Sequence, residues 1–429
     1  MVDLNRFSTA SSGIDRSGDW LVESNYSAMS KIQSDQPPRY LAFLVVGMAM
    51  VGPFSIDAMF PGFPAIAKEF DASTVILQQL FTTYLVGFAL MSLFHGPLSD
   101  ALGRRRVVLG STLIFVLASM GAALSSSLPV LLFWRLIQGC SAGSGVIVGR
   151  AIIRDMVAGP GAQRMIAQVM MVLTVAPAIA PVTSAYLLRF GGWRSIFWAL
   201  AVYAGLILLF AKLSLVESLP VENRYRLDAR SLLLTYCRIS VDRQFIRLAM
   251  SVALNWGTLL LYVLSAPRII LDLLHLSTNE FYWLSVPVAA GTITGSWVAA
   301  KISGQFVETT VLQVGFGIML GACALNIIVG ALVRQPSLPW AVLPLGLQAF
   351  GMALNQPLLT LLALDRFPMH RGAASSVQTF FSLSVTVVLG LLSPLVSKSL
   401  FSLAVVAFAI NLVGFFVWLL SAKKAKGCS

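Results

Sequence analysis

Long apolar runs alternate with short polar segments along most of this 429-residue chain. Runs of about 18 or more mainly apolar residues are long enough to cross a bilayer as a single helix. The pattern therefore predicts an all-α membrane protein with twelve membrane-spanning helices. We number these predicted spans 1 to 12 and place them at residues 40–66, 75–95, 107–126, 128–156, 164–188, 193–214, 244–267, 279–301, 308–332, 337–364, 371–395 and 399–421.

The longest polar interval inside the chain, residues 216–243, divides the spans six and six. We interpret it as a cytoplasmic linker between an N-terminal six-helix bundle, 39–215, and a C-terminal six-helix bundle, 244–422. A parallel repeat of two such halves is a common plan among transporters. Residues 423–429 are interpreted as a cytoplasmic tail.

Residues 1–38 are rich in Ser, Asp, Asn and Gln, and no apolar run precedes Tyr40. This composition predicts a disordered cytoplasmic tail without a cleavable signal peptide. Met29 offers an alternative start of translation.

The composition supports a membrane protein, because 57% of the residues are hydrophobic, only 11% are charged and the mean hydropathy is +0.82. The net charge of +12 does not indicate nucleic-acid binding, since 23 of the 30 Lys and Arg residues fall on one predicted side of the membrane. This bias follows the positive-inside rule, with both termini cytoplasmic and an even number of spans.

The four cysteines are far apart and form no C-x-x-C pair: Cys140, Cys237, Cys323 and Cys428. The sequence therefore suggests neither a disulfide framework nor a zinc site. We expect no cofactor and no metal.

The polar segment between spans 2 and 3 reads GPLSDALGRRR, residues 96–106. It resembles motif A of the major facilitator superfamily, G-x-L-[SA]-D-x-x-G-R-[RK]-x, whose fold is two six-helix bundles. Gly96 and Gly103 are expected to allow a tight turn and a close backbone approach. The resemblance gives this segment, with Asp100 and Arg104, a gating role.

The charges of this segment suggest their own partners. Asp100 can face the positive N-terminal end of span 11, which begins near Arg371. Arg104 can pair with Asp155 at the cytoplasmic end of span 4. Such contacts would join the halves on the inner side and favour an outward-open state.

Three further stretches resemble the drug:H+ antiporters, specifically the Bcr/CflA-like branch. They are SIDAMFPGFPAIAKEF at 55–70, RLIQGCSAGSG at 135–145 and APAIAPVTSAYLLRFGGWRSIF at 176–197. With motif A, the similarity extends over about residues 40–395. It implies a proton-coupled exporter in the cytoplasmic membrane of a bacterium, acting as a monomer on small molecules.

The third stretch resembles antiporter motif C in span 5. Pro177 and Pro181 each remove a backbone hydrogen bond and can bend the helix, so we expect a hinge there. The motif usually ends Gly-Gly, whereas this chain has Ser184 and Ala185. Both residues are small, so close helix packing is retained, but the departure weakens the antiport interpretation.

Two ionisable residues are predicted in the outer half of the membrane. Asp57 lies about 25 Å along span 1 and Arg135 about 10 Å into span 4, within a hydrocarbon core about 30 Å thick. Intramembrane charges are costly and mostly functional. Burial favours a neutral carboxyl and a nearby guanidinium favours a charged one. We therefore expect Asp57 to carry the proton and Arg135 to tune it, the alternative being a static ion pair.

The remaining acids fall in tails, loops or helix ends, so the cavity can neutralise at most one positive charge. Neutral, anionic or monocationic substrates fit this better than dications. Pockets for drug-sized ligands are mostly apolar. The apolar and aromatic candidates for its walls are Phe54, Met59, Tyr84, Trp256, Tyr262, Phe380 and Phe381.

The leading hypothesis is a proton-coupled exporter of small amphipathic compounds that works by alternating access. The first alternative is an exporter or importer of one metabolite, such as a siderophore or an organic acid. The second is a membrane enzyme or sensor, which is disfavoured because the sequence contains no G-x-x-x-x-G-K-[ST] and no H-E-x-x-H motif.

Overall fold

Apart from one interruption, each apolar run of the first half forms one helix in the computed structural model. The model describes residues 39–157, 159–224, 228–277, 280–302, 305–332 and 338–425, so the predicted tail 1–38 and residues 426–429 lie outside it. The helices of the first half are α1 Arg39–Asp57, α2 Phe63–Phe70, α3 Thr74–Leu102, α4 Arg104–Ala123, α5 Leu128–Met156, α6 Gly159–Gly191 and α7 Arg194–Ser214.

The interruption falls in predicted span 1, which is not one straight helix. Helix α1 ends at Asp57, a 3-10 turn follows at Phe60–Gly62, and α2 then begins. Pro61 and Pro64 occupy the first turns of these two short elements. Proline has no N–H to donate, so it fits the first turn of a helix better than the middle of one.

The second half contains α8 Ala229–Val241, α9 Arg243–Leu264, α10 Tyr282–Ile302, α11 Glu308–Leu332, α12 Leu343–Leu364, α13 Arg371–Val396 and α14 Leu400–Ala425. Helix α8 lies within the predicted linker. Asp228 accepts a hydrogen bond from the backbone of Arg230 at its N-terminus. Asp242 separates α8 from α9 and caps α9 through the backbone N–H of Phe245, at 2.6 Å.

Ten stretches of the described chain are helical, long and apolar enough to cross a membrane, with α1 and α2 counted as one stretch. Helices α6 and α10 lie at predicted spans 5 and 8 and complete a set of twelve. Helix α10 contains several Thr, Ser and Gly residues, which lower its mean hydropathy. The predicted all-α fold with twelve spans is confirmed.

The helix contacts of the two halves follow the same pattern. In the first half α1 packs on α5, α6 and α7, while α3 and α4 pack on α5 and α4 packs on α7. In the second half α9 packs on α12, α13 and α14, while α10 and α11 pack on α12 and α11 packs on α14. The contacts between halves are also paired, α3 with α13 and α6 with α10. The molecule is a structural repeat of two six-helix bundles, although the sequence repeat is weak.

Helices cross closely at equivalent places in the two bundles. A Cβ atom on Gly139 of α5 would lie 1.9 Å from the carbonyl oxygen of Tyr84 in α3. One on Gly291 of α10 would lie 2.0 Å from the carbonyl oxygen of Gly346 in α12. Small residues allow such backbone approach between helices in lipid. We call the end of the bundles that carries α8, the start of α1 and the end of α14 the inner end, and the opposite end the outer end.

Candidate functional site

Asp57 is the last residue of α1, next to the break, and lies between the two bundles. It is 5% exposed. No hydrogen bond from the described part of the chain reaches its carboxylate. It lines a small cavity with Phe60 and Pro181 of the first bundle and with residues of the second bundle, namely Val263, Ala266, Phe281, Leu284, Ser285 and Val288. A carboxyl group placed there can accept a proton or meet a cationic ligand.

Arg135 of α5 is fully buried beside this site, but it bonds to neutral groups. Its Nε donates to the carbonyl oxygen of Leu80 at 3.2 Å. Its Nη1 donates to Ser55 Oγ at 3.1 Å and to Gln138 Oε1 at 3.0 Å. Its guanidinium also lies 4.5 Å from the ring centroid of Tyr84. These contacts fix the orientation of Arg135 within the first bundle.

The described structure contains no Asp57–Arg135 ion pair. Ser55, two residues before Asp57, accepts a hydrogen bond from Arg135 instead. Arg135 Nη2 is buried and has no partner among the described residues. The static pair is therefore not what this structure shows, and the tuning role of Arg135 stays a prediction.

The motif A segment forms a charged network within the first bundle. Arg104 forms an ion pair with Asp100, and its Nε lies 3.1 Å from Asp155 Oδ2. The backbone N–H of Arg104 donates to Glu217 Oε1 at 2.8 Å. Ser218 also donates to Asp155, at 3.0 Å. We call Asp100, Arg104, Asp155 and Glu217 the motif A network.

The two motif A glycines differ in their surroundings. Gly103 has φ +98°, a backbone conformation that requires glycine, and the side-chain ends of Glu217 and Arg224 lie close to its Cα. Gly96 lies inside α3, with no atom within 4 Å of its Cβ position. The tight turn and close approach expected at Gly96 are not found, because α3 continues as a helix to Leu102.

Asp100 does not bond to the second bundle in the described structure, although its expected partner was the N-terminus of span 11. Tyr236 of α8 makes the polar contact between the halves at the inner end. Its hydroxyl donates to the carbonyl oxygen of Leu93 in α3 at 2.6 Å. Burial raises the pKa of Tyr236, which keeps the hydroxyl protonated as a donor. Leu93 packs into an apolar cluster of the second bundle that includes Ile239 and Val377.

Aromatic rings connect the bundles at the outer end. The rings of Phe60, beyond α1, and Phe281, before α10, stack with centroids 6.0 Å apart. Phe60 also stacks on Phe81 of α3 at 4.5 Å. One continuous cluster of buried apolar residues covers both bundles here. The Asp57 cavity is therefore closed from the outer end by apolar side chains.

Five of the predicted wall residues belong to the apolar cluster that covers both bundles, namely Phe54, Met59, Tyr84, Trp256 and Tyr262. Met59, Tyr84 and Tyr262 are almost fully buried. Phe54 packs on Tyr203 of its own bundle, with ring centroids 6.5 Å apart. The remaining candidates are half-buried in the second bundle, namely Trp256, Phe380 and Phe381.

Helix α6 runs through both motif C prolines without interruption, from Gly159 to Gly191. Pro181 lines the Asp57 cavity. The side chain of Pro177 lies outside the described part of the structure. Ser184 and Ala185, in place of the usual glycines, are both buried. The hinge itself stays a prediction.

The sequence interpretation missed several polar residues that the structure places together. Glu217 at the inner end is one. Asn255, Gln356, Thr360 and Gln378 form another group inside the second bundle. The four residues of this second group are isolated polar residues within apolar spans. They carry no charge and match no motif, so the sequence pattern does not single them out.

This architecture matches a known family. A family model described as Major Facilitator Superfamily matches residues 43–391. The chain belongs to the major facilitator superfamily. Its fold and its transporter class are thereby settled, and it is a multi-pass integral membrane protein. The narrower assignment to the Bcr/CflA-like branch stays a prediction.

Curated relatives fall in the same family. The chain is 34% identical over 276 residues to the uncharacterized MFS-type transporter YdgK of Bacillus subtilis (strain 168), covering 64% of this chain and 69% of the relative. It is 27% identical over 343 residues to the multidrug resistance protein MdtM of Escherichia coli (strain K12), covering 79% and 83%. A multidrug resistance protein MdtL of Vibrio parahaemolyticus is 28% identical over 337 residues, covering 78% and 84%.

Solved transporters share the fold. The D-xylose–proton symporter superposes with a TM-score of 0.70 at 14% identity, over 88% of this chain and 97% of that one. The human organic anion transporter MFSD10 superposes with a TM-score of 0.65 at 19% identity, over 89% and 100%. Identities this low establish the fold and nothing about the substrate.

Proposed function

We propose that this chain is a proton-coupled efflux transporter, an antiporter that exports small amphipathic compounds across the cytoplasmic membrane of a bacterium. The observation that carries the proposal is the position of Asp57, in a cavity whose walls come from both bundles. The similarity to relatives named multidrug resistance proteins also supports the proposal of efflux.

Asp57 couples proton binding to the arrangement of the bundles. Burying an unpaired carboxylate is costly, so closure of the cavity favours a protonated Asp57. Opening toward the inner end hydrates the carboxyl and allows the proton to leave. Outer opening must separate Phe60 from Phe281, whose rings now stack. Alternating access then consists of rocking one bundle against the other.

The energy from one proton is sufficient for useful export. Moving one charge through 100 mV releases about 2.3 kcal/mol. Since about 1.4 kcal/mol corresponds to a factor of ten, one proton supports roughly a fortyfold gradient of a neutral substrate. With one cavity carboxylate, the cargo is neutral, anionic or singly cationic. The protein works as a monomer and uses the proton gradient without a cofactor.

The test is transport into proteoliposomes with an imposed pH gradient. Asp57→Asn is expected to insert normally and to keep substrate binding and counterflow, but to lose uphill transport. Asp71→Asn is the matched control, because Asp71 is exposed at the end of α2 and asparagine tolerates its positive φ of 47°. Full proton-driven transport by Asp57→Asn at normal expression would move the coupling site elsewhere. Uphill uptake of one metabolite, with no transport of amphipathic compounds, would favour the metabolite alternative.

A further inference from the structure

A row of uncharged polar side chains crosses three helices of the second bundle. Asn255 of α9 donates from Nδ2 to Gln356 Oε1 of α12 at 3.0 Å. Gln378 of α13 donates from Nε2 to Thr360 Oγ1 of α12 at 3.1 Å. Gln356 and Thr360 are four residues apart and so lie on one face of α12. We call these four residues the polar row.

The polar row contains hydrogen-bonding capacity that the described structure leaves unused. Asn255 is fully buried and Gln378 is 6% exposed. Asn255 Oδ1 and Gln378 Oε1 are both buried and without a partner among the described residues. Buried polar atoms of native proteins nearly always have a partner. The two carbonyl oxygens therefore lack the N–H or O–H donors that would satisfy them.

The orientation of the Asn255 amide is set by its neighbours. Its Nδ2 also donates to the backbone carbonyl oxygen of Met352 at 3.3 Å, and a carbonyl oxygen can only accept. Its Oδ1 is therefore the free atom. For Gln378 the partner is a hydroxyl, which can donate or accept, so the free amide atom is an oxygen in one orientation and a nitrogen in the other. The preference for ligand donors therefore rests on Asn255 Oδ1.

The three helices that carry the polar row have no charged side chain near it. Helix α12 contains no charged residue, and those of α9 and α13 lie in their first two turns, at Arg243, Arg247 and Arg371. The same helices carry half-buried aromatic residues, Trp256 on α9 and Phe381 on α13. This chemistry suits a neutral amphipathic molecule with hydrogen-bond donors, and it offers no attraction to an ion.

The row is separate from the proton site. Gln356 is about 12 Å from the inner end of α12 and Gln378 about 10 Å from the inner end of α13, at 1.5 Å per residue. Asp57 lies in the other bundle, about 25 Å from the inner end of α1. Helix α13 packs on α3 across the boundary between the bundles. Gln356 and Gln378 therefore lie toward the side from which an exported compound arrives, and Asn255 lies deeper, about 18 Å from the inner end of α9.

We propose that the polar row is a substrate-binding site that selects neutral amphipathic compounds carrying N–H or O–H donors, while Asp57 in the other bundle carries the proton. This inference rests on the proposed function and adds the substrate class. It assigns selectivity to the second bundle and coupling to the first.

The test compares two neutral probes that differ in donors: chloramphenicol, with two free hydroxyls, and its 1,3-diacetate, in which both are capped. Dissociation constants are measured on the purified full chain in lipid nanodiscs. The wild type is expected to bind chloramphenicol more tightly. Asn255→Leu and Gln378→Met, which roughly keep side-chain size, are each expected to weaken chloramphenicol binding about tenfold. Diacetate binding should change less, because the only donor left on that probe is the amide N–H that both compounds share.

Asn411→Leu is the matched control. Asn411 of α14 is also a fully buried amide, but it accepts from Thr258 Oγ1 at 3.1 Å and donates to Cys323 Sγ at 3.3 Å. Its loss should lower thermal stability and leave the ratio of the two affinities unchanged.

Equal wild-type affinities for the two probes, binding of neither, or equal weakening of both by Asn255→Leu and Gln378→Met would overturn the proposal. Size-exclusion profiles identify variants that fail to fold, and the wild-type comparison stands without them. A wild type that distinguishes the probes but shows no proton-driven transport contradicts antiport and leaves the polar row in place. A wild type that pumps but does not distinguish them contradicts the polar row alone.

Discussion

At the scale of single residues, Arg135 illustrates how a buried charge is held without an opposite charge. Four neutral contacts surround it, from Leu80, Ser55, Gln138 and the ring of Tyr84. Hydrogen bonds to charged groups are stronger than neutral ones. The arrangement leaves Asp57 free of a permanent partner, which suits a carboxyl that must gain and lose a proton.

Arg135→Ala is expected to destabilise the protein by about 1–3 kcal/mol for each buried acceptor left without a donor. Arg135→Lys should fall between the wild type and the alanine variant, because an ammonium keeps the charge but not the planar set of donors. Thermal unfolding in detergent measures the effect. Arg106→Ala is the control, since Arg106 is exposed at the start of α4. Wild-type stability of Arg135→Ala would show that these contacts contribute nothing.

Residues that belong to a motif or carry a charge inside an apolar span could be predicted from the sequence, and residues defined by their neighbours could not. Asp57 and Arg135 stood out because charges are rare in apolar spans. The Arg104–Asp155 contact followed from their common position at the inner end. By contrast, the positions of Glu217 and the polar row depend on how distant helices pack, which local pattern does not encode.

At the scale of elements, the apolar pattern predicted the helices better than their ends. Predicted span 1 covered 40–66, yet Pro61 and Pro64 begin new turns and Asp57 ends α1. Helix α8 was hidden in a segment interpreted as a polar linker. Its N-capping residue, Asp228, is a residue type that commonly precedes the first turn of a helix, so the sequence of the linker does contain a start signal. The break places Asp57 at a free helix end, facing the other bundle.

The start of α4 depends on Glu217. This carboxylate accepts the backbone N–H of Arg104 and lies 3.5 Å from Arg224, so it caps the helix and ties the segment after α7 to motif A. Glu217→Ala is expected to cost about 1 kcal/mol, the usual value of a lost cap. It should also slow turnover several-fold without changing the substrate dissociation constant, because Glu217 is not in the cavity.

Unfolding midpoints in detergent and initial rates in proteoliposomes measure the two effects of Glu217→Ala. Glu222→Ala is the matched control, because Glu222 is exposed in the same segment. A changed dissociation constant with normal turnover would mean that Glu217 acts on the binding site and not on the motif A network.

At the scale of the whole molecule, the two bundles meet along two helix pairs, with a different contact at each end. Helix pairs α3–α13 and α6–α10 form the boundary. The inner end has the Tyr236–Leu93 hydrogen bond, and the outer end has the Phe60–Phe281 stack. Since packed interfaces have a few discrete arrangements, relative motion of the bundles must break one set of contacts while keeping the other.

The outer aromatic contact gives a direct test of alternating access. We expect Phe60→Cys with Phe281→Cys, in a background with the four native cysteines replaced by serine, to lose export when a short bifunctional thiol reagent joins them. Reduction should restore export if the reagent carries a cleavable disulfide. The physical reason is that outward release requires these residues to separate. Phe60→Cys with Phe81→Cys is the matched control, because those rings stack more closely, at 4.5 Å, but belong to one bundle. Joining the control pair should leave most transport intact. Normal export by the cross-linked Phe60–Phe281 pair would show that the outer end does not open there, and the rocking mechanism would need a different exit.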